Sequence, residues 1–394
     1  MYSVRSCIVT YVYLNAYISE EVNMTGEGEE LMISYIVGRN FGHLNRAVAT
    51  IEKFYEINNE KIRIYTFPHS FSWIKKNIPN VELDYFKKYK EYERLHKEMS
   101  DSSLILHDWR PEVAKIKTAG DEYKGIIGGI YHSDLMISED DDSKTRHFKE
   151  LVRETANHTT DIFFHINLYQ PTVLPKLSTL YVPIPLVTRE ITMNKNEVKE
   201  ILGLSHDEPF VLIQMGGGVG PSKYKFIAEW YEKINHLRLP MRIVVAHQFE
   251  GLDFPFREDI IQAPLFYNGI NLVNAAELVI SKPGMGILSD AITTKTPLLL
   301  LPPDDEERKA KHDLLRKIVK SEIGTIEPSF SPKDLQNRIE EILEEKTKIE
   351  ETFGKVPHHG ADIIAQAIQV LCGKPLKELP LLYDEVLKLT PYSV

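Results

Sequence analysis

The chain has 394 residues, 43% hydrophobic and 26% charged, an ordinary globular composition with length enough for two domains. Its formal net charge of −10 excludes an affinity for nucleic acid that rests on a broad basic face. Cys7 and Cys372 stand far apart, so no disulfide framework or zinc cluster is implied, and no apolar run approaches the roughly 18 residues of a membrane span. A cytoplasmic location is expected on these grounds.

Residues 1–31 read as an extra strand or as an extension ahead of the true start, because Met32 opens MISYIVG, a natural first strand. The loop GRNFGH and a helix, LNRAVATIEKFYE, follow. KIRIYTF (61–67), VELDYF (81–86), SLILHD (103–108), YKGIIGGIYHSD (123–134), DIFFHIN (161–167) and TLYVPIPL (179–186) supply further strands. A short helical segment, PEVAKIKTAG, sits between two of them. Residues 85–99, YFKKYKEYERLHKEM, put Tyr85, Tyr89, Tyr92 and Met99 near one helical stripe flanked by lysines. That stripe has two readings, a face packed on the sheet and an aromatic, basic face at a membrane surface.

The charged stretch TREITMNKNEVKEILGLSHDE (188–208) marks a boundary, after which the alternation restarts. PFVLIQM is a strand, GGGVG a loop, and SKYKFIAEWYEKINHL a helix. MRIVVAHQ and IIQAPLF are strands and INLVNAAE a helix. LVIS, a break at Lys282-Pro283-Gly284, the helix MGILSDAITTK and the strand TPLLLLPP then form one strand–turn–helix–strand unit. EERKAKHDLLRKIVKSE and SPKDLQNRIEEILEEKTKIEE read as amphipathic helices, and GADIIAQAIQVLCG as a last one. Strands alternating with helices predict α/β architecture with two doubly wound parallel sheets. We expect an N-terminal Rossmann-like domain over 1–188, a C-terminal one over 189–373, and a tail over 374–394 that returns to the first domain.

One corner carries chemistry by itself. At Gly284–Gly286 a helix starts directly after a strand, so the free N–H groups of its first turn point outward and attract an anion, most often phosphate. Lys282 adds a positive charge beside it. The plainer reading is a tight turn whose glycines serve packing. Gly216, Gly217, Gly218, Val219 and Gly220 form a second loop that backbone atoms can approach closely. The run EDDDSK (139–144) has aspartates at metal-binding spacing, but clustered acids in a polar loop are usually solvated, and no metal is expected.

The layout resembles the GT-B glycosyltransferases, and more closely their MurG-like branch, glycosyltransferase family 28. GRNFGHLNRA is similar to that branch's GGxGGH loop and helix, YHSD to its HEQN segment, QMGGGVGPSK to its GGSQG loop, and VPIPLV to its VGNPV. SKPGMGILSDAITTKTPLLLLPPDDEER is similar to its donor-site stretch, and the resemblance spans most of residues 32–350. This chain departs from the pattern at Arg39 and Asn40, where the branch has small residues, and at Asp290, where it has a glutamate. It also carries Asp304, Asp305, Glu306 and Glu307, and lacks a glutamine pair near Lys309 and Ala310.

The resemblance implies a GT-B fold and an inverting, metal-independent transfer of a sugar from a nucleotide diphosphate sugar, UDP-linked, to an acceptor hydroxyl. The nucleotide sugar is a co-substrate, and no other cofactor is implied. The amides of Gly284, Met285 and Gly286, with Lys282, are then expected to hold the diphosphate. Asp290, next to Ser289 on the same helix, takes the ribose hydroxyls or is a solvated carboxylate. The second glycine loop, His247, Gln248 and Phe266 line the donor pocket. Asp304, Glu306 and Glu307 bond sugar hydroxyls or cap the next helix. His43 is the expected base, since histidine suits proton removal near neutral pH, with Asp108 to orient it. His132 and Asp134 are the alternative pair. A lipid-linked acceptor and a peripheral membrane contact fit the tyrosine and lysine stripe. Two other functions remain open, a nucleotide-sugar hydrolase and a non-catalytic binding or regulatory subunit.

Overall fold

The computed structural model describes residues 31–85, 99–114, 117, 123–217, 223–247 and 254–393. The N-terminal extension, residues 86–98 of the stripe, Gly218, Val219, Gly220 and Gln248 lie outside them. Met99, at the stripe's end, is buried against Ile36, Tyr65 and Ile105.

In chain order the first half holds β1 (Met32–Val37), α1 (Phe41–Ile57), β2 (Lys61–Thr66), α2 (Phe71–Asn77), β3 (Glu82–Tyr85), β4 (Leu104–Asp108), β5 (Ile127–Tyr131), α3 (Ser143–Thr159), β6 (Ile162–Ile166) and β7 (Leu180–Ile184). The second holds α4 (Lys195–Ile201), β8 (Phe210–Gln214), α5 (Ile227–Asn235), β9 (Arg242–Val245), β10 (Ile260–Gln262), α6 (Gly269–Ala275), β11 (Leu278–Ser281), α7 (Met285–Thr294) and β12 (Leu298–Leu300). The helices α8 (Glu306–Val319), α9 (Pro332–Glu344), α10 (Lys346–Phe353), α11 (Gly360–Leu371) and α12 (Leu379–Leu387) complete the chain.

Both sheets are parallel, as the alternation of strand and helix requires. The first runs β3-β2-β1-β4-β5-β6-β7 and the second β10-β9-β8-β11-β12. Strands covered on both faces read as continuous apolar runs rather than alternating ones. Accordingly, every residue of β4, β5, β6 and β11 is buried. Fully buried Ile, Leu or Phe side chains contribute about 1.5–3 kcal/mol each, so these runs anchor the two domains.

The sequence reading missed three helices, α2, α3 and, in the stretch read as a tail, α12. Parallel β5 and β6 need a crossover between them, and α3 supplies it. Its low apolar content hid it: only Val152, Thr155, Ala156 and Thr159, with the stem of Lys149, form its buried stripe. Of the expected helix PEVAKIKTAG, Pro111–Val113 form a helical turn and Ala114 and Lys117 are helical, while 115, 116 and 118–120 lie outside the described residues.

The carboxyl-terminal helices lie against the first sheet. α11 packs on α1, and its first residue, Gly360, donates to the Leu186 carbonyl at 2.9 Å. A Cβ there would meet the Pro185 carbonyl oxygen at 2.3 Å, so only glycine lets the chain pass. The Tyr383 hydroxyl of α12 donates to the Tyr181 carbonyl at 2.6 Å, and Tyr392 to that of Asn167 at 3.1 Å. Among the described residues no helix is long and apolar enough to cross a membrane.

Candidate active site

Each sheet has one place where the chain reverses its direction of strand addition, between β1 and β4 in the first and between β8 and β11 in the second. Loops at the carboxyl ends of such strand pairs splay apart and leave a crevice, the usual ligand site of open α/β sheets. Here both crevices open onto one shared cleft of about 330 Å³.

On the first domain's wall stands His43, in the first turn of α1. Its Nδ1 lies 2.7 Å from Oδ1 of Asp108, the last residue of β4. Arg46, one turn along α1, grips the same carboxylate with Nε at 2.8 Å from Oδ2 and Nη2 at 2.7 Å from Oδ1. Asp108 has a side chain that is 0% exposed. Burial alone would push its carboxyl up, yet Arg46 and His43 hold it down at about 2. An ionised Asp108 can only accept, so His43 Nδ1 donates to it. That fixes the tautomer and leaves Nε2 with the lone pair. Nε2 has no hydrogen-bond partner among the described residues, and the His43 side chain, 21% exposed, lines the cleft.

His132 follows β5 and lines the same wall. Its ring stacks on Tyr131 at 4.6 Å, and Tyr131 in turn stacks on Trp109 at 4.1 Å. Burial, reinforced by Lys311 and Arg46, holds it well below the usual histidine range, so it is neutral. It does not meet Asp134. That carboxylate accepts from the Met136 N–H at 2.9 Å and pairs with Lys149 of α3 at 3.0 Å. The structure thus assembles the His43–Asp108 pair and not the His132–Asp134 pair. Two acids of 139–144 are also engaged: Asp141 binds Lys149 at 2.9 Å, and Asp142 caps α3 through the Thr145 N–H at 2.8 Å.

The opposite wall is the α7 corner. Gly284 is its N-cap, no side chain caps it, and the Leu288 N–H makes the first bond back to Gly284 at 3.1 Å. The N–H groups of Met285, Gly286 and Ile287 therefore lack intrahelical partners, and all three residues line the cleft. Lys282 stands beside them with no ion pair or hydrogen bond to its Nζ among the described residues. Burial, with Arg308 nearby, pulls its ammonium down to about 8.

Close approach explains the glycines. Gly216 has φ +76, and a Cβ on it would meet Lys282 Cε at 2.6 Å. A Cβ on Gly217 would meet Phe41 Cβ, across the cleft, also at 2.6 Å. On Gly286 it would stand 3.8 Å from the Gly42 Cα, an ordinary van der Waals distance, so a side chain there would just reach the opposite wall.

Asp290 sits one turn into α7, half-buried at the cleft, with no partner for its carboxylate among the described residues. Burial pushes that carboxyl up to about 7, against the pull of Arg189. His247 and Phe266 line the cleft, whereas Ser289, 3% exposed, faces the core.

The acidic run divides. The Asp304 carboxylate is enclosed, accepting from the Lys225 N–H at 2.8 Å and pairing with Arg308. Asp305 caps α8 through the Arg308 N–H at 2.8 Å. Glu306 leans to Thr145 of α3 at 3.5 Å. Glu307 lines the cleft and pairs with Lys311 at 3.4 Å. Sequence reasoning missed Arg46 and Lys311. The three-residue step from His43 to Arg46 on one helix was the available signal for the first. Lys311 had only its i,i+4 relation to Glu307.

No family model matches the chain, and no curated protein matches it significantly. Solved structures do. A UDP-glucosyltransferase from Polygonum tinctorium aligns with a TM-score of 0.60 at 10% identity, over 92% of this chain and 99% of that one. A spinosyn rhamnosyltransferase aligns with 0.59 at 12%, over 86% and 100%. The glycosyltransferase of kitacinnamycin aligns with 0.56 at 11%, over 88% and 100%. At these identities the likeness is one of fold, and with its two parallel-sheet domains the chain has the GT-B fold.

Proposed function

We propose that the protein is a glycosyltransferase that moves a sugar from a nucleoside diphosphate sugar, uridine-linked, to an acceptor hydroxyl with inversion and without a metal. One observation carries this reading. A histidine held by a buried carboxylate faces, across one cleft, an uncapped helix N-terminus beside a lysine that has no partner among the described residues. A base on one wall and an anion seat on the other are what sugar transfer from a diphosphate requires.

In this mechanism His43 Nε2 takes the proton of the acceptor hydroxyl as its oxygen attacks the anomeric carbon. The attack comes from the face opposite the diphosphate, so the anomeric centre inverts. The bond between that carbon and the diphosphate oxygen breaks, and the leaving charge settles on the amides of Met285, Gly286 and Ile287 and on Lys282. Asp290 accepts from the ribose hydroxyls, and Glu307 with Lys311 faces the donor sugar. His132, neutral, lines the acceptor side. Asp304 and Glu306 brace the cleft's rim. The domain division near residue 188 separates acceptor from donor binding, with α11 and α12 returned to the first domain. The likeness to the MurG-like branch rests on motif order, from GRNFGH to SKPGMG.

The test is product analysis. The protein is incubated with a panel of nucleotide sugars, with and without acceptor mixtures, and nucleoside diphosphate release is followed. Release that needs an acceptor and disappears in His43→Ala supports transfer. Release of free sugar without acceptor replaces the proposal with hydrolysis. Nucleotide binding with no turnover under any condition replaces it with a binding subunit.

A further inference from the structure

Arg46 is the unusual member of the His43 cluster. A two-residue arrangement of histidine and carboxylate leaves the carboxylate's full charge to stabilise imidazolium. Here the guanidinium occupies both oxygens of Asp108, at 2.8 and 2.7 Å, and its Nη2 stands 3.1 Å from His43 Nδ1. Arg46 is 5% exposed, so little water screens it. His43 and Arg46 share Oδ1. We propose that Arg46 is a positioning residue that lowers the basicity of His43: its fixed cation offsets Asp108, and its bonds hold the carboxylate so that Nδ1–H stays aimed at it and Nε2 faces the cleft.

The effect is electrostatic. When His43 gains a proton it becomes a second cation beside Arg46, and the single Asp108 charge is already shared. The cost falls on the protonated form and lowers the histidine's affinity for a proton. The same geometry holds the ring. Asp108 cannot swing away while two guanidinium bonds fix it, so Nδ1–H stays aimed at Oδ1. Other charges face the cluster from several elements. Arg110, beyond β4, is paired with Glu112 at 2.5 Å. His132 follows β5, and Glu307 and Lys311 reach in from α8 as a pair at 3.4 Å. Glu307 attracts a proton to His43 and Lys311 repels one from the same area. Arg46 is the cation bonded directly to the carboxylate that orients the ring.

The role of His43 as base rests on the proposed transfer, but the effect of Arg46 on it does not. The test therefore reads the histidine directly, in the full chain without ligand. Histidine labelled at ring carbon is titrated by NMR in wild type, Arg46→Met, Arg46→Gln and Arg46→Lys, with His43→Asn to assign the signal. The neutral variants are expected to raise the His43 pKa by about one unit or more, the range set by a neighbouring charge at this distance. Arg46→Lys, which keeps the charge, is expected to stay near wild type. If transfer is catalysed, the acid limb of kcat/KM moves up in pH by the same amount. An unchanged His43 pKa in the neutral variants overturns the proposal, as does a fall. Arg46→Gln keeps an amide donor for Asp108 and carries the comparison if the methionine variant does not fold. Shifted titration with no catalysis in wild type leaves Arg46 as assigned and removes the transfer reading.

Discussion

Asp290→Asn separates the two demands on one carboxylate. Burial lifts the Asp290 carboxyl from its ordinary value of 3.8 to about 7, with Arg189 opposing. Each unit of difference corresponds to about 1.4 kcal/mol, so the ionised form costs the native state at most about 4 kcal/mol. The side chain opens partly to the cleft, and retained water reduces this to about 2 kcal/mol. The sign follows from proton counting. Between pH 4 and about 7 the native state holds a proton that the unfolded state has lost, so stability falls as pH rises through that window and then levels off. Asparagine keeps the shape and carries no charge. Urea melts at several pH values are expected to show Asp290→Asn more stable than wild type by about 2 kcal/mol at pH 8, equal to it near pH 4, and without the decline between. The same variant is expected to bind the nucleotide about 10- to 100-fold more weakly, since a bond to a charged group is worth about 1.5–3 kcal/mol. Higher stability with weaker binding is the signature of a strained functional group. A variant that melts like wild type at pH 8 and binds nucleotide equally well refutes the reasoning.

Three further outcomes follow from the same cleft. His43→Ala and Asp108→Asn are each expected to reduce turnover about 10²- to 10⁴-fold while leaving the nucleotide's thermal shift in place, which steady-state rates and melting curves check together. Lys282→Met is expected to weaken nucleoside diphosphate binding about 10-fold and to leave binding of the plain nucleoside unchanged. Because burial pulls the Lys282 ammonium down to about 8, diphosphate affinity in wild type should fall as pH rises through 8 and stay flat in the variant, as calorimetry would record. Gly217→Ala places a Cβ 2.6 Å from that of Phe41, so it is expected to cost about 1–3 kcal/mol in a denaturant melt, unlike Gly203→Ala, where no atom lies within 4 Å but φ is +71. The Gly203 loss should come from backbone strain alone, about 1 kcal/mol.

Much of this architecture was legible because parallel strands leave an unambiguous trace. The runs LIL of β4 and LVI of β11 are apolar, and each passes into polar residues and a turn at the strand's carboxyl end. The His43–Asp108 meeting was legible for the same reason, since both residues sit at carboxyl ends flanking one switch point. The acidic run was less so. Four consecutive acids look alike in sequence, but Asp304 and Asp305 precede α8 whereas Glu306 and Glu307 begin it about 100° apart, which sends Glu307 to the cleft and leaves Asp304 against Lys225 and Arg308. His132–Asp134 failed to assemble because Lys149, on a helix with almost no apolar signal, claims Asp134 first. Arg46 was hidden by its neighbours: a charged residue on an amphipathic helix ordinarily faces water, and only the buried Asp108 across from it says otherwise.

The most direct test of the account is a thermal-shift screen of the purified chain against UDP, UDP-glucose, UDP-N-acetylglucosamine and the GDP and dTDP equivalents. A ligand at about 100 times its Kd stabilises the native state by about 2.7 kcal/mol, a shift of several degrees. A shift of that size is expected with the uridine nucleotides, cut to about half in Lys282→Met and to half or less in Asp290→Asn at the same ligand concentration, and kept in His43→Ala. No shift with any nucleotide contradicts the assignment of the α7 corner as a diphosphate site, and with it the proposed reaction.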